Sequence, residues 1–189
     1  RRYDEAQALF DRARDLEPED AGMLLHLAGL RLPRDGDPTA LRQLEARAAS
    51  GELPVPQIAL AAIYAADYDE AVRLLSILPD PLPGTEGHYQ RPLMLARAYD
   101  YGGHHDEARK LFATALERIQ AQLATAQPEQ RAVLEIAFGA GKMGLGEPKT
   151  AIEHVNTALG EMHLVSASRA VGLRTDAILV LASAGDVDS

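Results

Sequence analysis

Apolar residues recur along most of this chain at intervals of three and four, the spacing that places side chains on one face of an α-helix. The clearest stretch is residues 93–128, which reads as two amphipathic helices joined by a tight glycine turn. Its key positions, at steps of 3, 4, 5, 4 and 3, are Ala96, Tyr99, Gly103, Ala108, Phe112 and Ala115. The alternating pattern of a strand does not occur. The sequence therefore predicts an all-α fold.

The same periodicity predicts a series of helices interrupted by proline-rich and glycine-rich segments. The predicted helices are residues 3–16, 20–31, 39–49, 55–65, 69–78, 89–101, 105–125, 129–144, 148–161 and 168–184. Residues 79–87 (PDPLPGTEG) contain three prolines, which restrict the backbone. We therefore expect an ordered loop there, and a candidate bend between the helices on its two sides.

An internal repeat becomes visible when the chain is aligned on the alanine that opens the second helix of each predicted pair. These alanines are separated by 34, 31, 37 and 43 residues: Ala6, Ala40, Ala71, Ala108 and Ala151. A large apolar residue follows each of them by four positions: Phe10, Leu44, Leu75, Phe112 and Val155. Each preceding helix carries a small residue: Ala28, Ala59, Ala96 and Gly139. The turns between paired helices hold Gly103, Gly146 and, in one unit, Ala66.

This arrangement resembles the tetratricopeptide repeat, whose period is 34 residues. The resemblance implies a right-handed α-solenoid of antiparallel helix pairs, with residues 1–189 forming one domain. The first and last predicted helices look like halves of incomplete units, and Ile178 stands where the last unit should have a small residue. We therefore expect a piece of a longer array. Its high ratio of arginine to lysine, in an alanine-rich background, suggests a bacterial origin.

Composition narrows the function classes. The net charge is −9, with 28 acidic and 19 basic residues, so the sequence lacks the basic footprint of a nucleic-acid-binding protein. No apolar run is long enough to cross a membrane, and we expect no membrane insertion. Cysteine is absent, which leaves the redox compartment open. A cytoplasmic location is favoured.

Motifs that could carry chemistry are better explained by helix packing. Gly139, Gly141 and Gly144 satisfy the pattern G-x-G-x-x-G, but they lie late in a predicted helix instead of between a strand and a helix. His104 and His105 sit at a turn, where consecutive side chains point in different directions, and no second cluster completes a metal site. Nucleophile motifs are absent as well. We therefore expect no catalytic, cofactor-binding or metal-binding residues, and a protein that is not an enzyme.

The resemblance also implies a binding surface. In such repeats the first helix of each pair lines an inner, concave groove. The positions that map onto this groove, and that we predict to contact a partner, are His26, Gln57, Leu60, Tyr64, Met94, Arg97, Tyr101, Ala140 and Met143. Asp176 maps onto the inner side of the last helix. A mostly apolar groove with a few polar groups suits a helical or extended hydrophobic segment.

Two kinds of function fit these observations. The first is a non-catalytic scaffold that binds a partner protein or peptide in the groove, without cofactors. The second is a C-terminal regulatory or self-association module of a larger signalling or transcription-regulator protein, since residues 93–189 also resemble repeat arrays that follow DNA-binding or kinase domains. In that case open ends of the solenoid could form a homodimer. An enzyme whose catalytic domain lies elsewhere in a longer chain is a third alternative.

Overall fold

A computed structural model describes residue 24 and residues 36–37, 39–50, 55–82, 88–165 and 167–185 of this chain. Within these residues all regular structure is helical, which confirms the predicted all-α class. The α-helices are α1 (Thr39–Ala49), α2 (Val55–Tyr64), α3 (Tyr68–Ile77), α4 (Gln90–Tyr101), α5 (His105–Leu123), α6 (Pro128–Gly144), α7 (Pro148–Glu161) and α8 (Ala167–Ser183). A short 3₁₀-helix, Met162–Leu164, precedes α8. The ends of all eight α-helices fall within two residues of the predicted ones. The predicted helix at 3–16 lies outside the described residues. So does the predicted helix at 20–31, except for Leu24, which is helical and buried.

The helices pack in neighbouring pairs along the chain. The closest partners are α2 with α3, α4 with α5, and α6 with α7, while α3 against α4 and α5 against α6 join one pair to the next. The first helices of successive pairs also contact one another, α2 with α4, α4 with α6, and α6 with α8. Second helices make no comparable contact with each other in the described chain. The first helices therefore lie side by side along one side of the molecule.

The turn inside each pair is built in the same way three times. The backbone amides of Asp67, His104 and Glu147 each donate to a carbonyl five residues earlier, at 2.9, 2.8 and 2.9 Å. This bond defines the Schellman motif, which requires a residue of left-handed conformation just after the helix. That residue is Ala66 (φ 60°), Gly103 (φ 84°) or Gly146 (φ 77°). The predicted turn positions, including the alanine substituted for glycine, are thus confirmed.

Small residues lie where paired helices touch. The alanines that open the second helices, Ala71, Ala108 and Ala151, are 0% exposed. The small residues of the first helices, Ala59 and Ala96, are also fully buried. Large side chains fill the space between them. The large residues that follow the alanines of the second helices by four positions are among the best buried: Leu44, Leu75, Phe112 and Val155. Small residues let the helices approach, and the large ones then fill the core at high density.

The glycines of α6 bring this helix close to both of its neighbours. A Cβ atom at Gly139 would lie 3.0 Å from the carbonyl oxygen of Ala151 on α7. On the opposite side, a Cβ at Gly141 would lie 2.8 Å from Leu116, and one at Gly144 would lie 2.2 Å from the ring of Phe112, both on α5. Close packing, the expected reason for G-x-G-x-x-G here, is what the structure shows.

The ends of the proline-rich segment are fastened to the neighbouring helices. Arg118 of α5 donates hydrogen bonds to the carboxylate of Asp80 and to the carbonyl of His88, both at 2.7 Å. Arg91 of α4 donates to the carbonyl of Leu75 at the end of α3, at 2.9 Å. Residues 83–87 lie outside the described part. The bend predicted at 79–87 stays a prediction.

The last helix departs from the regular register. Ala177, not Ile178, is its fully buried small residue, and it packs with Val180 and Leu181 against α6 and α7. Gly185 nevertheless adopts φ 75°, as the turn glycines do. The side chain of Ile178 is half-buried. The irregularity that the sequence indicated at Ile178 is therefore accommodated by a one-residue shift of the packed position.

Candidate partner-binding surface

The described residues predicted to line a groove lie on the three first helices α2, α4 and α6, but their surroundings differ. Five of them are half-buried with part of their surface open, Gln57, Leu60, Tyr64, Met94 and Arg97. Tyr101 is 58% exposed, whereas Ala140 is only 7% exposed. Met143 is half-buried. His26 lies outside the described residues.

Tyr64 of α2 is acted on by charged groups of two other first helices. Burial raises the pKa of this phenol to about 12, and the negative charge of Asp176 on α8 adds to the increase. The positive charge of Arg97 on α4 acts in the opposite direction on the same hydroxyl. Charges from α4 and α8 therefore act on one phenol of α2, although Tyr64 and Asp176 are far apart in sequence. The hydroxyl stays neutral at physiological pH and can both donate and accept a hydrogen bond.

Arg97 brings a positive charge to this surface without a fixed partner. Its side chain is half-buried on α4. No described residue forms an ion pair or a hydrogen bond with its guanidinium group. The other arginine of the same helix, Arg91, is in contrast held by carbonyl groups at the end of α3. The five N–H donors of Arg97 therefore have no acceptor within the described part of the chain.

Tyr101 provides exposed aromatic surface one helical turn after Arg97. It lies at the end of α4, and its ring centroid is 6.0 Å from that of Tyr68 at the start of α3, with the two planes tilted by 53°. Tyr101 also acts electrostatically on the hydroxyl of Tyr64. Three tyrosines from three helices therefore lie together. Tyrosine and arginine are the residues most often found at energetic centres of protein interfaces.

The remaining residues of α2 and α4 form a partly apolar floor. Leu60 packs against the small core of Ile63, Ala71 and Ala98. Met94 packs on a second core cluster, with Ala59 and Leu95. The amide oxygen of Gln57 is buried and has no hydrogen-bond partner among the described residues. These side chains keep only part of their surface open, so they define the shape of the site more than its polar chemistry.

The inner positions of α6 are used differently. Ala140 belongs to the core between α6, α7 and α8, and Met143 packs against the same core. A partner could reach little of Ala140. Of the predicted residues, Arg97 and Tyr101 of α4 act on Tyr64 of α2, whereas those of α6 pack against the core.

The core also contains a polar pair that the sequence pattern did not predict. Glu135 of α6 is 9% exposed, and its carboxylate oxygen contacts the imidazole Nδ1 of His154 on α7. The ring of His154 also lies 4.4 Å from that of Phe138. The repeat register contains the signal for this pair. Gly139 of α6 packs on Ala151 of α7. Glu135, four residues before Gly139, therefore meets His154, three residues after Ala151.

The histidines at the turn behave as structural groups. His104 precedes α5 and places its ring edge-on to Tyr99, with centroids 6.0 Å apart. His105 points elsewhere, with Nδ1 2.8 Å from a carboxylate oxygen of Asp100. Across the described ranges, no group of three histidine, aspartate or glutamate side chains could hold a metal ion. No helix there is long and apolar enough to span a bilayer.

Two comparisons with known proteins returned no match. No protein-family model matches the sequence, and no curated protein matches it significantly.

Proposed function

We propose that this protein is a non-catalytic scaffold that binds a partner protein or peptide through the surface around Tyr64, Arg97 and Tyr101. The carrying observation is a half-buried arginine, Arg97, that forms no ion pair or hydrogen bond with any described residue and acts electrostatically on the phenol of Tyr64. An exposed tyrosine completes the surface. Aromatic and arginine side chains contribute a large contact area and directional hydrogen bonds, which an interface requires.

The proposed architecture is a right-handed α-solenoid of the tetratricopeptide type. Three features support it: the helix pairing, the repeated Schellman turns at Ala66, Gly103 and Gly146, and the lateral contacts among first helices. In such an array the first helices line a concave side. The groove of this proposal would then lie between α2, α4 and α8.

An affinity capture tests the proposal. The protein and its Arg97→Glu, Tyr101→Ala double variant are immobilised and exposed to native lysate, and retained proteins are identified by mass spectrometry. We expect a partner that is held by the first and lost by the second. The interaction is then repeated with purified partner, and circular dichroism verifies that the variant keeps its helical content.

Two results would contradict this function. A partner retained equally by both proteins would bind elsewhere on the molecule. Capture of further copies of the same chain alone would instead support the self-association module. The control variant Arg109→Glu, at an exposed position of α5 away from Tyr64, should retain the partner as well as the unmodified protein does.

A further inference from the structure

Two charges of opposite sign act on Tyr64, those of Asp176 and Arg97, and they differ in their interactions with the rest of the protein. Asp176 already interacts with another residue of the chain. Arg97 has neither an ion pair nor a hydrogen bond with any described residue, although its side chain is half-buried. A guanidinium that no described carboxylate or carbonyl engages gains most from a ligand that supplies an acceptor.

The geometry of the guanidinium donors indicates which chemical group of a ligand would bind to Arg97. A guanidinium offers two parallel N–H donors, which match the two oxygens of a carboxylate. Tyr101, one helical turn after Arg97, adds an exposed hydroxyl, and Met94, one turn before it, adds apolar surface on the same face of α4. A single acidic side chain flanked by apolar residues would satisfy both parts of the surface.

We infer that the partner segment carries an aspartate or glutamate that forms an ion pair with Arg97, within an otherwise apolar stretch. This inference rests on the proposed function, and it names the chemistry of the occupant. The overall charge of −9 runs against it at long range, because it repels an acidic peptide. Salt should screen that repulsion, so affinity for the peptide should stay constant or rise slightly with ionic strength.

A random peptide display library tests the inference. The full chain is immobilised, peptides are selected by repeated washing, and the enriched sequences are compared. We expect enrichment of an acidic residue at one position between apolar residues. Enrichment of lysine or arginine, or of apolar residues only, would overturn the inference and leave the groove function standing.

The failure of the proposed function has a different signature. If no peptide is enriched above an unrelated immobilised protein, or if enriched peptides bind the Arg97→Glu, Tyr101→Ala variant equally well, the groove does not bind peptides. Both the function and this inference then fall together.

An enriched peptide allows a double-mutant cycle measured by fluorescence anisotropy. Arg97→Gln should weaken binding about tenfold, as expected for one charged hydrogen-bonded contact. Replacing the acidic residue of the peptide by its amide should weaken binding to the unmodified protein by a similar factor. The same replacement should weaken binding to the Arg97→Gln variant very little. Additive losses would contradict a direct ion pair.

Two further variants verify the sign of the charge effect. Asp176→Asn removes the opposing negative charge and should tighten binding of the acidic peptide severalfold. Arg109→Gln changes the net charge by the same amount as Arg97→Gln, at an exposed site on α5, and should leave the affinity nearly unchanged. A loss with Arg109→Gln equal to that with Arg97→Gln would show a general charge effect and overturn the inference.

Discussion

The helices α4 and α6 occupy equivalent places in successive pairs, yet they use the same positions for opposite purposes. One residue after its small contact residue, α4 carries the half-buried Arg97, whereas α6 carries the buried Ala140. Five residues after it, α4 carries the exposed Tyr101, whereas α6 carries Gly144 against the ring of Phe112. Repeat register decides which direction a position faces, and side-chain size then decides whether that position serves packing or recognition.

The contacts within the two pairs differ in the same way. In α6 and α7 a buried polar pair, Glu135 and His154, lies beside the glycine contact. The corresponding positions of α4 and α5 are Pro92, which is buried, and Leu111, which packs in the core. The α6–α7 pair thus depends on exact spacing and a specific polar contact, whereas α4 carries the more exposed side chains of Arg97 and Tyr101.

The largest expected effect on stability comes from a substitution where α5 and α6 approach most closely. Gly144→Ala places a Cβ 2.2 Å from the buried ring of Phe112. We expect a loss of about 3 kcal/mol in the free energy of unfolding, because a packed core has little room for an added methyl group. Denaturant unfolding followed by circular dichroism measures it.

Gly160→Ala on α7 is the matched control. A Cβ there meets no atom within 4 Å, so the change should stabilise the helix by about 0.5–1 kcal/mol. Adding Phe112→Leu to Gly144→Ala should recover part of the loss, since the two sites are in contact. Equal effects at Gly144 and Gly160 would show that α5 and α6 are not packed this closely.

The polar pair gives the next largest effect. Glu135→Ala removes the acceptor that contacts His154 and leaves a gap in the core, so we expect a destabilisation of about 2 kcal/mol. Glu135→Gln keeps an acceptor in place and should cost less. Glu153→Ala, on the exposed side of α7, should be nearly neutral. If Glu135→Ala were as harmless as Glu153→Ala, the pair would contribute nothing to the α6–α7 contact.

The convergence of helices on Tyr64 can be tested by titration. Its pKa is raised to about 12, so between about pH 10 and pH 12 the unfolded chain loses this proton while the folded protein keeps it. Stability should therefore fall over that window, by about 2 kcal/mol or less, and be independent of this group below pH 10.

Spectrophotometric titration of the phenols, compared between the protein and Tyr64→Phe, isolates the contribution of Tyr64. Tyr64→Phe should remove one component that ionises near pH 12, and Asp176→Asn should move that component to lower pH. An unchanged component near pH 12 in Tyr64→Phe would place the buried phenol elsewhere and remove the observation on which the surface rests.

The smallest effect concerns the turns. Ala66 adopts the left-handed conformation that Gly103 and Gly146 adopt in the equivalent turns. Ala66→Gly relieves the steric cost of that conformation but adds freedom to the unfolded chain, so we expect a net gain of about 0.5 kcal/mol. Gly103→Ala should be destabilising. A loss of stability with Ala66→Gly would mean that this turn is not strained.

Much of the fold could be predicted because each repeat leaves local marks. The positions of Ala71, Ala108 and Ala151, and the turns after α2, α4 and α6, follow from helical spacing and from residues that tolerate close approach or positive φ. The register of α8 was harder to predict. It depends on whether Ala177 or Ile178 meets the neighbouring helices, and spacing from a distant turn does not decide that.

The candidate site was only partly predictable, since it depends on distances between helices. Sequence register placed Arg97 and Tyr101 on one face, but it placed Ala140 there equally. The difference arises from how closely α6 approaches its neighbours. The meeting of Asp176 with Tyr64 likewise depends on how the helix pairs are arranged in space, which no local pattern contains.

Site-specific photo-crosslinking tests the central claim most directly, and the absence of native cysteine makes it simple. A benzophenone label is attached through Met94→Cys on α4, beside Arg97 and Tyr101, or through Ala113→Cys on the exposed side of α5. We expect the partner identified by capture to crosslink strongly from position 94 and not from position 113. Crosslinking from position 113 alone, or equally from both, would contradict a binding surface on the first helices.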